Sequence, residues 1–288
     1  MSYIIVQPRG GFVDVMSNIQ RAFDYAVKHN RLLIIDTRWN FSFLNGDIHE
    51  FIFFEHPTIH ICDLDAFYDS IKDESFYPNE LKNKLTTMKN YFVPSKGFVI
   101  DVDGNEVYTG IDFNKTYAES VILDSQCGRC SNNFYIFNYV KFKKPIIDEH
   151  QRRLSNLPSL FNSFHIRNTD YKSDVPAFLE KHKYLMNEMP FFMASDNALD
   201  LVSIKDIFGD NMYTFSEIPN NNGRGIHHYH SISENKEKKT ERIVELLADI
   251  IMLSSGKEYY YSCPNSGYSL LANYFHKNKE FFKSCCGF

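Results

Sequence analysis

The feature that most constrains this chain is a strict alternation, in its second half, of short apolar runs with helical patterns. Residues 161–167, 191–194, 212–215 and 258–262 have the length and the aromatic or β-branched content of strands. Residues 175–189, 199–208, 240–254 and 266–275 repeat apolar side chains at helical spacing. Strands joined through helices pair in parallel, because a parallel neighbour can be reached only by a long crossover. The first half opens the same way. Residues 3–7 read as a buried strand broken by Pro8-Arg9-Gly10-Gly11, and Val15, Ile19, Ala22, Phe23, Ala26 and Val27 mark a helix up to Asn30. Residues 32–36 are a second buried strand. Asp14 or Ser17 is expected to cap that helix and Asn30 to close it. The predicted class is α/β, with two Rossmann-like doubly wound domains, 1–150 and 151–288, facing one another across a cleft.

The stretch between the two regular parts is less periodic. Trp39, Phe41, Phe43, Phe51, Phe53 and Phe54 form an aromatic-rich region, and residues 63–90 look helical in pieces. Residues 98–100 and 106–108 read as a hairpin around Asp101–Asn105. That turn lacks the spacing and the terminal glutamate of a calcium loop. Residues 121–124 are a further strand, residues 134–142 fit a sheet or a short helix, and residues 146–157 form a connecting helix stopped by Pro158.

Composition narrows the function. The net charge of −5 argues against holding nucleic acid by broad phosphate neutralisation, although a local basic pocket remains compatible with it. No apolar run approaches the roughly 18–20 residues that cross a bilayer, and the first residues lack a signal-peptide pattern, so a cytoplasmic location is expected. Lys141, Lys143 and Lys144 cluster, which leaves room for peripheral membrane association. Cys127-Gly128-Arg129-Cys130 is a lone C-x-x-C with no second pair, and reduced thiols are the simpler account of the six cysteines.

In an open α/β sheet, ligands bind beyond the carboxyl ends of the strands. Three polar clusters fall there: His165, Arg167 and Asp170; Ser195 and Asp196; and Asn265, Ser266 and Ser269. They supply a planar cation suited to phosphate, a carboxylate, and hydroxyls beside a helix start. The set suits a nucleoside diphosphate held without a metal. No phosphate-binding P-loop, dinucleotide fingerprint or nucleophile elbow is present. Gly10-Gly11 could let a ligand approach the backbone or serve chain reversal alone.

The order of these motifs resembles that of the inverting GT-B fucosyltransferases, which comprise α-1,6-, α-1,2- and protein O-fucosyltransferases and include bacterial nodulation-type enzymes. The hallmark H-x-R-x-x-D is similar to His165-Ile166-Arg167-Asn168-Thr169-Asp170, with Asn168 where the α-1,6 group usually has a second Arg. The opening glycine turn resembles Arg9-Gly10-Gly11-Phe12-Val13-Asp14, with Val13 and Asp14 where Gly and Asn are common. Ala194-Ser195-Asp196 and Asn265-Ser266-Gly267-Tyr268-Ser269 resemble the two remaining motifs.

The resemblance implies an inverting, metal-independent glycosyltransferase that needs no cofactor beyond its sugar-nucleotide co-substrate. The donor would be a GDP-sugar, GDP-fucose first, and the acceptor a glycan or glycolipid hydroxyl, in polysaccharide biosynthesis. Residues 1–150 would be the acceptor side and 151–288 the donor side. Arg167 would hold the diphosphate, with Ser266, Ser269, Asn265 and the Gly10-Gly11 backbone nearby, while Asp196 would contact the base and His165 the base or ribose. Asp174 or Asp170 would be the general base, with Asp14 a third candidate and Asp170 alternatively orienting Arg167. The loop 217–239, with Arg224, His227, His228 and His230, is expected to close over donor or acceptor, and adjacent histidines without a spaced carboxylate do not make a metal site. Two other readings stand beside this one: the same fold using a different activated sugar, and a non-catalytic nucleotide- or glycan-binding module.

Overall fold

The computed structural model describes residues 1–38, 46–85, 98–100, 103–128, 133–218 and 236–286. Two compact units emerge, Met1–Val140 and Lys141–Phe288.

In the first unit, β1 (Tyr3–Val6), α1 (Phe12–Lys28) and β2 (Leu32–Ile35) form the expected βαβ start. β3 (Ile52–Phe54), α2 (Leu64–Ser70), β4 (Phe76–Tyr77), the hairpin β5 (Phe98–Ile100) and β6 (Glu106–Tyr108), and β7 (Val121–Asp124) follow. The sheet runs β2-β1-β7-β4, all parallel. Apart from Asp124 at the end of β7, its strands are apolar, and they are almost wholly buried, as a sheet covered on both faces requires. Ile5, Ile34, Val121 and Leu123 pack with Leu64 and Phe67 of α2.

α1 begins earlier than the sequence suggests. Gly11 is its N-cap, and Asp14 sits inside the first turn, its Oδ2 accepting from the Gly11 amide at 3.2 Å. A carboxylate there answers both an orphan donor and the helix dipole. Gly10 has φ +95°, and a Cβ on it would stand 2.9 Å from the Asp14 Cβ and 3.0 Å from the Cys127 Sγ, so the turn needs glycine. Asn30, at φ 51°, reverses the chain after α1 as expected.

Residues 134–142, open between helix and strand, are both: a 3-10 turn at Tyr135–Tyr139, then β8 (Val140–Phe142). The second unit continues as α3 (Lys144–Leu154), β9 (Asn162–Ile166), α4 (Val175–Glu188), β10 (Phe191–Ser195), α5 (Ala198–Phe208) and β11 (Met212–Tyr213). It ends with α6 (Lys236–Ser255), β12 (Tyr259–Tyr261), α7 (Gly267–Lys277) and α8 (Lys279–Cys286). α6 starts four residues before the expected position, and α8 is an addition to the expected elements. The expected loop 217–239 lies largely outside the described residues, as do Trp39, Phe41, Phe43 and Cys130.

The second sheet runs β11-β10-β9-β12, again all parallel. Successive side chains of a strand point to opposite faces, and the two cores divide accordingly. Phe164, Ile166, Phe191 and Met193 pack with Leu201 and Ile204 of α5 and Met186 of α4. Phe192 and Ala194 pack on the other face with Met252 and Leu253 of α6 and Ala272 of α7. The sheet is doubly wound. Its register pairs Ser195 with Ile166 and Tyr261 with His165, which sends the residues after all three strands to one edge. Among the described residues, no helix is long and apolar enough to cross a membrane.

At the equivalent edge of the first sheet, Asp124 closes β7 fully buried. Its Oδ1 accepts from the Ile111 amide at 3.4 Å, and its Oδ2 has no hydrogen-bond partner among the described residues. Burial pushes this carboxyl up to about 7, against the pull of Arg21, the Ile111 amide and Arg9. The folded protein therefore holds a proton that the unfolded chain releases near pH 4. This contribution to stability is present below that pH and is lost as pH rises through about 7. The variant Asp124→Asn, neutral at every pH, is expected to gain stability relative to the wild type between pH 4 and 8. The gain accumulates at about 1.4 kcal/mol for each pH unit between the two pKa values, reaching a few kcal/mol. Urea midpoints of the two proteins that stay parallel across this range would refute the assignment.

Candidate functional site

The site at the carboxyl edge of the second sheet is organised by one guanidinium. Arg167 follows β9, and its Nη2 lies 2.6 Å from Asp170 Oδ1 while its Nη1 lies 3.0 Å from Asp196 Oδ2. The Asp170 pair is local, three residues apart, whereas Asp196 comes from the end of β10. The arginine keeps 19% of its side-chain exposure, and its guanidinium carbon stands 5.9 Å from the Tyr171 ring centre. Two carboxylates thus hold the fork at a fixed angle while part of it still faces solvent.

Asp196 is more deeply committed than Asp170. It is 4% exposed, its Oδ1 accepts from the Asn168 amide at 2.8 Å, and its Oδ2 takes both the Thr169 hydroxyl and Arg167. Asp170 is 34% exposed and accepts from the Tyr171 amide as well as from Arg167. The chain after β9 is therefore folded around these carboxylates as an anion-centred turn. On the other side, the Arg167 amide donates to Ser262 Oγ at 3.1 Å, and the Ser173 hydroxyl donates to the Arg167 carbonyl at 2.8 Å.

His165, the last-but-one residue of β9, is buried, its Nδ1 2.7 Å from Ser269 Oγ and its ring 5.0 Å from that of Tyr268. Burial first, and the Arg167 charge second, push its pKa down to about 3, so the ring is neutral at physiological pH. Ser266 caps α7, accepting from the Ser269 amide, and Asn265 is exposed in the turn before it. Ser195 turns back to accept from the Asn197 amide at 3.1 Å. Asp174 caps α4, its Oδ1 accepting from the Ala177 amide at 3.0 Å, and it is exposed.

The three clusters expected at this edge come together: His165 meets Ser269, and Arg167 meets Asp170 and Asp196. Gly10, Gly11 and Asp14 lie in the first unit. Several participants are not evident from the sequence. Ser262 follows β12 and Ser173 lies beyond the motif, and no local pattern ties either to Arg167. Asp200, on the third residue of α5, accepts from the Asn168 side-chain amide at 3.0 and 3.3 Å. Its place one turn into the helix after Asp196 is the available signal. Among the described residues, no group of three or more His, Cys, Asp or Glu side chains is arranged to hold a metal ion.

No protein-family model matches the chain, and no curated protein matches it in sequence. Solved structures do match in fold. The α-1,6-fucosyltransferase NodZ co-crystallised with GDP superposes with a TM-score of 0.60 at 16% identity, covering 95% of this chain and 92% of that one. NodZ from Bradyrhizobium, in selenomethionine form, gives 0.59 at 15% identity, covering 95% and 92%. POFUT1 without ligand gives 0.52 at 12% identity, covering 96% and 95%.

The unequal burial of the two carboxylates has a measurable consequence. Asp196→Ala is expected to cost about 2–4 kcal/mol in urea unfolding, because it strands the Asn168 amide and leaves a partly buried guanidinium with one carboxylate in place of two. Asp170→Ala is expected to cost less than about 1 kcal/mol, since its ion pair is largely exposed. Equal losses for the two variants would mean that Asp196 is not the anchor. In the arrangement of its strands and helices, the chain has the GT-B-like α/β fold of these fucosyltransferases.

Proposed function

We propose that this protein is an inverting glycosyltransferase that transfers a sugar, fucose in the first instance, from its GDP derivative to a hydroxyl of a glycan or glycolipid. One observation carries the reading: an arginine held by two carboxylates at the carboxyl edge of a doubly wound sheet, beside the capped start of a helix, in a fold shared with GDP-binding fucosyltransferases.

In this reading, the second unit, Lys141–Phe288, forms the donor side and the first, Met1–Val140, the acceptor side. Arg167 binds the diphosphate through the N–H groups directed away from Asp170 and Asp196. Its orientation is fixed before the ligand arrives, so little side-chain entropy is lost on binding. The α7 start, with the Ser266 and Ser269 hydroxyls, adds donors and a favourable dipole for the same phosphates. His165 is a neutral ring in contact with Ser269, and this suits a hydrogen-bonding role towards ribose or base better than that of a cation.

Transfer then proceeds in one displacement. The acceptor oxygen attacks the anomeric carbon from the face opposite the phosphate and forms the new C–O bond. The bond from that carbon to the β-phosphate oxygen breaks, and its electron pair leaves with GDP. Arg167 stabilises the charge growing there, as a preorganised cation does best. The acceptor proton passes to a carboxylate, and Asp174 is the best-placed candidate in this unit. Asp170 is engaged in orienting Arg167, which argues for a positioning role. The reading needs no metal ion, places the enzyme in the cytoplasm in polysaccharide biosynthesis, and leaves the acceptor to be found.

The expected outcomes are specific. Calorimetry should show GDP binding in preference to UDP and CMP, lost on Arg167→Ala and only partly retained by Arg167→Lys, which keeps charge without the planar fork. Asp174→Asn should lower the transfer rate by about 10²–10⁴-fold with GDP affinity and melting temperature unchanged, because Asn caps a helix about as well as Asp. A stronger affinity for another nucleotide would move the proposal to a different donor. Tight GDP binding with no turnover across an acceptor panel would leave a binding module.

A further inference from the structure

The arginine clamp of the second unit has a counterpart in the first. Asp36 follows β2 and is wholly buried, and its Oδ2 accepts from the Tyr68 hydroxyl of α2 at 2.6 Å. Burial first, and the Asp36 charge second, push the Tyr68 pKa well above its ordinary value, so this hydroxyl stays a donor. Arg38, two residues further on, is exposed. Its Nε lies 3.1 Å from Asp36 Oδ1, and its Nη1 lies 2.9 Å from Oδ1 of the exposed Asp65 at the start of α2. Beyond a parallel strand of each unit there stands a guanidinium held by one buried and one more exposed carboxylate. A solvent-facing ion pair by itself contributes little. What sets this one apart is the buried Tyr68–Asp36 pair behind it, which fixes the fork at the sheet edge where ligands of α/β folds bind.

The two clamps differ in their neighbours. α7 is capped by the neutral Ser266, whereas Asp63 caps α2 with a carboxylate, its Oδ1 accepting from the Asp65 and Ala66 amides at 3.0 Å. Those amides are closed to an outside anion, and Asp36, Asp63 and Asp65 outnumber the single cation Arg38. The hydrogen-bonding capacity that remains is of both kinds. Arg38 uses three of the five N–H groups of a guanidinium on Asp36 and Asp65, and Asp65 uses one oxygen on Arg38. Donors and an acceptor thus lie side by side towards solvent, at a separation close to that of two hydroxyl oxygens on adjacent sugar carbons.

We propose that Arg38 and Asp65 form a subsite for a neutral glycan, the guanidinium donating to one and the carboxylate accepting from the other of two adjacent sugar hydroxyls. The inference rests on the glycosyltransferase reading for calling the first unit the acceptor side, and it names the class of acceptor. A glycan bearing carboxylate or phosphate groups is excluded, because it meets three carboxylates around one cation and finds the α2 amides already taken.

The test is a glycan array probed with the full chain, on which neutral oligosaccharides stand beside the same backbones carrying carboxylate or phosphate groups. The wild type is expected to bind neutral members and to pass over their acidic counterparts. Arg38→Ala should lower neutral binding by about tenfold or more, the range for losing hydrogen bonds to a charged group. Arg38→Lys should not restore it, because the planar fork is lost. Asp65→Asn keeps an acceptor oxygen and removes a charge, so it should retain neutral binding and admit acidic glycans, a change that loss of a merely structural ion pair would not produce. A melting curve on each variant reports folding independently. A wild type that prefers acidic members or binds none, or a wild-type pattern in folded Arg38→Ala, overturns the subsite, and Asp65→Asn that still rejects acidic glycans overturns the exclusion. Calorimetry with GDP separates the two inferences. GDP binding that depends on Arg167 leaves the glycosyltransferase reading standing after any of those failures, whereas Arg38-dependent glycan binding without GDP binding overturns that reading and leaves the subsite.

Discussion

A guanidinium fixed between two carboxylates is the interaction on which the arrangement of this edge depends. Arg167 carries one positive charge, and Asp170 and Asp196 carry two negative ones, so the trio is net negative before any ligand arrives. A diphosphate cannot be held there by charge alone. What the trio supplies is geometry: a fork locked in orientation, with part of its donor set directed outward. Further stabilisation must come from neutral donors, and the end of the adjoining sheet provides them in the capped start of α7 and the hydroxyls beside it. In the proposed reading the carboxylates thus make the site selective, because an anion gains only if it reaches the arginine and the helix start together.

That geometry follows from the sheet. Parallel pairing of β10, β9 and β12 places Asp196, Arg167 and Ser262 beyond one edge, and a shift of one residue in any strand would reverse which side chains face the core. The buried runs prevent such a shift, because Phe164 and Ile166 fill one core while Phe192 and Ala194 fill the other. A second anchor holds the scaffold behind the site. Arg153 of α3, wholly buried, is bonded to Glu149 at 2.7 Å, to Asp249 of α6 at 2.5 Å and to Ser216 at 3.2 Å. A buried ion pair of this kind contributes little net stability against an apolar replacement, but removing one partner would be costly, so it fixes how α3 and α6 meet.

Much of this is legible in the sequence, and the boundary between legible and hidden has a physical cause. Strands of a parallel sheet are covered on both faces, so β1 and β2, and β7 and β10 up to their last residues, appear as short apolar runs. Amphipathic helices such as α1 and α6 appear through their period. The residues around Arg167 are visible because they lie within one short segment. Ser262 and Asp200 are not, since each reaches the site through a contact whose register only the folded sheet defines. The start of α1 is misplaced by the sequence pattern for a related reason. Asp14 has the chemistry of an N-cap, but Gly10 and Gly11 let the chain enter the helix sooner, and Asp14 serves from within the first turn.

The choice of proton acceptor can be argued further from hydrogen-bond capacity. A general base needs a lone pair directed at the acceptor hydroxyl and a negative charge that is not already stabilised elsewhere. Asp196 fails on both counts, with its oxygens occupied and its charge opposed by Arg167. Asp170 fails on the second, since one of its oxygens meets Arg167 at 2.6 Å and also accepts from the Tyr171 amide. Asp200 is engaged with Asn168 and partly withdrawn from solvent. Asp174 accepts from an amide at the start of α4, and it is exposed at the end of the turn that Arg167 opens. In the proposed reading the acceptor proton therefore goes to Asp174, whose carboxylate is exposed and is not part of the Arg167 clamp, while Asp170 and Asp196 orient that arginine.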